Sequence, residues 1–199
     1  MPSNLIRTGI FGGSFNPIHN GHLALAKRLL SVGAVDEVWF VVSPLNPLKR
    51  QADLLDDAFR LQMVNLAVAG ESRMRASDFE FSQPRPSYMW HTLSAMSCRW
   101  PERDFRLIIG ADNWLCFNRW FAHQDIINNY RIIIYPRPGS PVDAASLPST
   151  VSLIDMPMTA VSSTMIRQFV SRGQPVDRLV PSAVAEFICS HKLYLKPSH

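Results

Sequence analysis

Cysteine is scarce in this 199-residue chain: Cys98, Cys116 and Cys189 are the whole complement, and no two form a Cys-x-x-Cys pair. That spacing supports neither a zinc knuckle nor a disulfide framework, so reduced structural thiols are expected. Long apolar runs are missing too. Although 47% of the residues are hydrophobic, no stretch approaches the roughly 20 residues that a membrane-spanning helix needs. The opening Met1-Pro2-Ser3-Asn4 leads straight into an apolar segment without the charged and long apolar regions of a secretory signal, which predicts a cytoplasmic protein. Nor is there a large surplus of one charge. Lys and Arg number 20 against 16 Asp and Glu, and the cations are dispersed rather than gathered in a run. Nucleic acid is therefore not an expected partner, and anionic small molecules account for the net +4 equally well. His91, His123, His191 and His199 show no metal-ligand spacing, so no protein-bound metal is expected.

What the chain does contain is a regular alternation. Apolar, β-branched stretches at 5–11, 37–42, 73–77, 105–109, 131–135 and 151–154 read as strands. Between and after them, residues 19–32, 56–69, 87–99, 162 to about 173, and 182 to about 191 have helical periodicity or helix-start signals. Alternating strands and helices predict a Rossmann-like, doubly wound α/β fold: a mainly parallel sheet with helices on both faces, in a single domain over 1–199. In such sheets ligands sit beyond the carboxyl ends of the strands, where strand order reverses.

The motifs fall at those ends. The run Gly12-Gly13-Ser14-Phe15-Asn16-Pro17-Ile18-His19-Asn20-Gly21-His22 follows the first strand and feeds a helix N-terminus. The glycines permit a sharp turn, and the free N–H groups of the helix suit a polyphosphate. His19 and His22, three residues apart, can point to the same side as those N–H groups. Ser43 to Arg50 follows the second strand, with Lys49 the better candidate for an acceptor phosphate. Gly110-Ala111-Asp112 follows the fourth, where a carboxylate can accept from ribose hydroxyls or simply cap a helix. Ser162-Ser163-Thr164 opens a late helix whose Arg167, one turn in, can brace phosphates bidentately. Among the aromatics, Trp120 offers a flat face near the expected switch point for a planar heterocycle.

Taken together the motifs resemble those of the nucleotidyltransferases with a G-G-[ST]-F-[DN]-P-x-H-x-G-H signature, and more closely the bacterial nicotinate-nucleotide adenylyltransferase family. Pro86-Ser87-Tyr88, Arg137-Pro138-Gly139 and Leu179-Val180-Pro181 extend the likeness over nearly the whole chain. The resemblance implies transfer of AMP from ATP to nicotinate mononucleotide, releasing pyrophosphate, with Mg²⁺ bound to the ATP. It implies catalytic roles for His19, His22, Lys49 and Arg167. It implies ATP contacts from Gly12, Gly13, Ser14, Phe15 and Gly21, from Gly110 and Asp112, and from Ser162, Ser163 and Thr164. Asn16, Ser43, Lys49, Arg85, Tyr88, Met89, Thr92, Trp120 and Phe121 are the implied acceptor contacts.

Three positions depart from the family pattern. Leu48 stands where histidine is usual, Met89 where threonine is common, and Asn16 where aspartate is common. Without the threonine hydroxyl, backbone N–H groups or a cation such as Arg85 must serve the nicotinate carboxylate. Nicotinamide mononucleotide and pantetheine phosphate are the alternative acceptors, a non-catalytic nucleotide sensor or nucleic-acid module is the alternative class, and self-association is left open.

Overall fold

A computed structural model describes residues 5–44, 54–157 and 161–195. Among these described residues six strands form one sheet: β1 (Ile6–Gly13), β2 (Glu37–Val42), β3 (Met74–Ser77), β4 (Arg103–Gly110), β5 (Arg131–Tyr135) and β6 (Val151–Leu153). Their spatial order is β3-β2-β1-β4-β5-β6, and every pair is parallel. This is the expected doubly wound architecture, with the order reversing between β1 and β4.

The strands read as continuous apolar runs because both faces are covered. Side chains alternate between two cores: Phe11, Val38, Phe40, Ile108 and Ile133 on one face, Ile10, Trp39, Leu107, Ile132 and Ile134 on the other. Helices α1 (Asn20–Ser31), α2 (Asp57–Val68), α6 (Ser163–Ser171) and α7 (Ser182–Ser190) cover the first face through Leu25, Leu29, Met63, Val64, Ile166 and Val184. Helix α3 (Met89–Arg99) covers the second with Leu93 and Met96. Among the described residues no helix is long and apolar enough to cross a membrane.

Two short helices lie outside the sequence expectations: α4 (Ala111–Trp114) and α5 (His123–Asn129). Helix α5 buries Ile126 alone and begins after Ala122 in the left-handed region, φ 52°, so it has neither a long apolar stripe nor an N-cap signal. Helix α3 starts two residues later than expected because Ser87 is drawn away to a buried carboxylate, Glu80, described below.

Candidate active site

The loop joining β1 to α1 is shaped by its own residues. Phe15 takes φ 43°, an uncommon conformation for a bulky residue, and is buried against Phe11, Phe40 and the His22 ring. His19 then sits in extended conformation immediately before the first turn of α1. Its ring stacks on that of His22 with centroids 3.6 Å apart, so the two imidazoles do face one side. The backbone N–H of His19 donates to Nδ1 of His22 at 3.2 Å. A neutral His22 ring with an occupied Nδ1 acceptor carries its proton on Nε2. His19 is buried, and its Nδ1 has no hydrogen-bond partner among the described residues. Burial, and secondarily the positive charge of Arg137, push its pKa down to about 4, so the ring is neutral at physiological pH.

The cleft beside these histidines is walled by Phe11, Gly21, Leu25, Tyr135 and Arg137. Arg137, just beyond β5, reaches Asp112 at 3.5 Å. Asp112 leans over Gly110, where a Cβ would stand 2.3 Å from its Oδ1; glycine is what allows that close approach. Helix α6 closes another side. Ser162 caps it by accepting from the Met165 N–H, and Ser163 donates to the Pro17 carbonyl at 2.9 Å. Arg167 donates to the Asn16 carbonyl at 2.8 Å and lies 3.5 Å from the exposed Thr164 hydroxyl. The Asn16 side chain, expected at the acceptor, is buried instead, and its Oδ1 accepts from the Tyr194 hydroxyl at 2.9 Å and from the Leu55 N–H. It ties the loop to the C-terminal segment.

A second recess, a cavity of about 220 Å³, opens on the other side of Phe11 and Tyr135, which wall both. Gly12, Gly13 and Gly110 form its floor at the strand ends, and Tyr88, Met89, Trp120 and Phe121 its apolar walls. Tyr88 and Phe121 lie 5.0 Å apart, and the Met89 methyl covers Gly12 so closely that a Cβ there would approach it to 2.7 Å. The expected acceptor residues Ser43, Tyr88, Met89, Trp120 and Phe121 are thus brought together. Thr92 and Arg85 are not in the wall. Thr92 is fully buried and donates to Glu80 at 2.8 Å. Arg85 is drawn outward to Asp57 at 3.2 Å. Lys49 and Leu48 lie outside the described residues.

Sequence reasoning missed three charged residues here. Glu80 is buried in the cavity wall and accepts from Ser43 (2.7 Å), Ser87 (3.0 Å) and Thr92, pinning the end of β2, the segment before α3 and α3 itself. Arg60 is fully buried in α2 and donates to the carbonyls of Ser14 (2.6 Å), Ser43 (2.9 Å) and Leu55 (2.8 Å) while pairing with Asp57. Burial lowers the Arg60 pKa, against the opposing pull of Asp57. Arg119 lies at the cavity just before Trp120. Arg60 had a legible signal, since it shares the buried face of α2 with Met63, Val64 and Ala67; Glu80 and Arg119 had none in spacing.

A cleft with two stacked imidazoles at a helix N-terminus, next to an aromatic cavity at the switch point of a doubly wound sheet, defines a nucleotide-handling enzyme. The cytidylyltransferase-like family model matches residues 10–169, and the chain belongs to this nucleotidyltransferase family. Its place within the family is narrower. It is 49% identical over 97% of its length to a protein of Bacteroides fragilis, 96% of which is covered, named "probable nicotinate-nucleotide adenylyltransferase". It is 52% identical to a Bacteroides thetaiotaomicron protein of the same name, covering 94% of this chain and 92% of that one. The chain belongs with these nicotinate-nucleotide adenylyltransferases. The fold matches that of Plasmodium falciparum nicotinic acid mononucleotide adenylyltransferase complexed with NaAD, with a TM-score of 0.81 at 20% identity over 95% of this chain and 97% of that one.

Proposed function

We propose that this chain transfers AMP from ATP to nicotinate mononucleotide, forming nicotinic acid adenine dinucleotide and pyrophosphate. The observation that carries the reading is the junction of two unlike recesses across Phe11 and Tyr135, a histidine cleft and an aromatic cavity. The substrate assignment follows the names of relatives at 49% and 52% identity.

ATP takes the histidine side, its phosphates at the α1 N-terminus, and the pyridine ring of the acceptor takes the aromatic side. An oxygen of the acceptor phosphate attacks the α-phosphorus, and the bond to the bridging oxygen of the departing pyrophosphate breaks. No proton has to leave the nucleophile, so the protein's task is alignment and charge stabilisation. The Nε2–H of His22 donates to the α-phosphate oxygens, and His19 adds its neutral ring without bringing a competing charge. Arg167 and the Ser162–Thr164 segment hold the β- and γ-phosphates, Asp112 takes the ribose, and Lys49 holds the acceptor phosphate. Gly12 and Gly13 let the backbone approach the junction closely.

Magnesium fits as an ion that arrives on ATP. Among the described residues no three His, Cys, Asp or Glu side chains cluster as a cage, and Mg²⁺ commonly keeps its waters and takes substrate phosphates with one or two carboxylates. The ion would keep most of its waters and neutralise charge on the leaving pyrophosphate. A cytoplasmic setting suits a reaction that consumes ATP.

The test is pyrophosphate release by the purified protein with Mg-ATP and a panel of acceptors. Nicotinate mononucleotide should give the fastest turnover. No turnover with any pyridine mononucleotide would remove the enzyme assignment, and faster turnover of the nicotinamide form would overturn the acceptor.

A further inference from the structure

We propose that Arg119 is the residue by which the cavity selects its acceptor: its guanidinium receives the carboxylate carried by the pyridine ring. The inference rests on the acceptor reading above and deepens it. Among the described residues lining the cavity, Glu80 and Arg119 are the charged ones, an anionic and a cationic group on otherwise apolar and weakly polar walls.

Glu80 cannot welcome an anion. The hydroxyls of Ser43, Ser87 and Thr92 that surround it are already donating to it, so they are not offered to a ligand carboxylate. Met89 brings a thioether methyl over Gly12 where a hydroxyl would be another donor. Arg119, by contrast, has no hydrogen bond or ion pair from its guanidinium to any other described residue. Other arginines near the site are engaged: Arg60 with three carbonyls, Arg85 with Asp57, Arg137 with Asp112, Arg167 with Asn16.

Its placement is also built rather than incidental. Arg119 ends the short 3-10 turn Phe117–Arg119, which is anchored by the buried Phe117 ring between Trp114 (5.2 Å) and Trp120 (5.1 Å). The adjoining Trp120 carries a buried indole N–H with no partner among the described residues. A ring lying against Trp120 with its carboxylate toward Arg119 meets a planar, fork-shaped donor suited to a carboxylate and keeps its charge away from Glu80. A carboxamide has no negative charge to exchange with either group, so the same arrangement favours the acid over the amide.

The experiment compares Arg119→Gln and Arg119→Lys with the unaltered protein, using nicotinate mononucleotide and nicotinamide mononucleotide as acceptors at saturating Mg-ATP. Thermal melting and the KM for ATP serve as folding controls. Arg119→Gln should lose about 10- to 100-fold in kcat/KM for nicotinate mononucleotide through a raised KM, while the nicotinamide form changes little and the preference between them collapses. Arg119→Lys should keep the charge and recover part of the preference. Equal losses with both acceptors, or an unchanged preference in Arg119→Gln, would overturn the role of Arg119 while leaving the reaction assignment standing. No turnover of either acceptor by the unaltered protein, or preference for the amide, would bring down both. Tryptophan fluorescence quenching by nicotinate mononucleotide alone gives a second readout, and affinity retained in Arg119→Gln would also overturn the inference.

Discussion

The histidine cleft and the aromatic cavity share Phe11 and Tyr135 as walls, yet they are made in different ways. The histidine side of the cleft is local: one loop and the helix it starts carry His19, Gly21 and His22 within a few residues of one another, while Tyr135, Arg137 and Met156 close it from the far half of the sheet. The cavity draws on the ends of β1, β2 and β4, the segment before α3, and the turn at 117–121. Chemistry at phosphorus needs donors in fixed register, and one contiguous loop sets the register of the two histidines. Recognition of a ring needs several walls, and walls from separate elements can change one at a time without disturbing the donors.

The largest test of this contrast is Arg60, which belongs to both sides by bonding the Ser14 and Ser43 carbonyls. Removing it takes a buried charged donor from the carbonyls of Ser14, Ser43 and Leu55 and leaves Asp57 with the exposed Arg85. Arg60→Ala should cost on the order of 3–5 kcal/mol in denaturant unfolding, with affinity for both substrates falling together. An effect on one substrate alone would show that the two recesses are not joined there. Next, His22→Ala should reduce kcat about 10²- to 10³-fold and leave the acceptor KM and the folded state largely intact. A rate within a few-fold of the unaltered protein would move the reacting centre away from the cleft.

Glu80→Gln probes the other side. It keeps the volume but turns one acceptor oxygen into a donor amid three hydroxyls, so the acceptor KM should rise about tenfold, roughly the worth of one charged hydrogen bond, with the KM for ATP unmoved. A matching rise for ATP would make Glu80 a general structural residue. The smallest effect concerns pH. His19 has its pKa lowered from an ordinary 6.5 to about 4, so between those values the unfolded chain binds the proton and the folded chain does not. Stability should therefore decline as pH falls from about 6.5 to 4, and His19→Gln should flatten that slope. NMR titration of the ring should give a midpoint near 4; a midpoint near 6.5 would mean the ring is solvated or paired.

The sheet was legible in the sequence because parallel strands buried on both faces leave unbroken β-branched runs, such as Ile132-Ile133-Ile134. The β1–α1 loop was legible for the same local reason that makes it work. Helix α5 was not, since seven residues with one buried side chain leave no periodic signal. The family resemblance implies Asn16 and Thr92 as acceptor contacts, but burial turns both side chains to partners distant in the chain, Tyr194 and Glu80. Glu80 itself, between Phe79 and Phe81, looks in sequence like any solvated carboxylate. Only the fold brings three hydroxyls to it.

The most direct measurement uses ATP labelled at the α-phosphate together with nicotinate mononucleotide and Mg²⁺, separating the products after a few turnovers. The account predicts that the label passes into a dinucleotide containing the nicotinate ring and that the released pyrophosphate is unlabelled. Label recovered as free AMP, in pyrophosphate, or only in unreacted ATP would contradict transfer at the α-phosphorus.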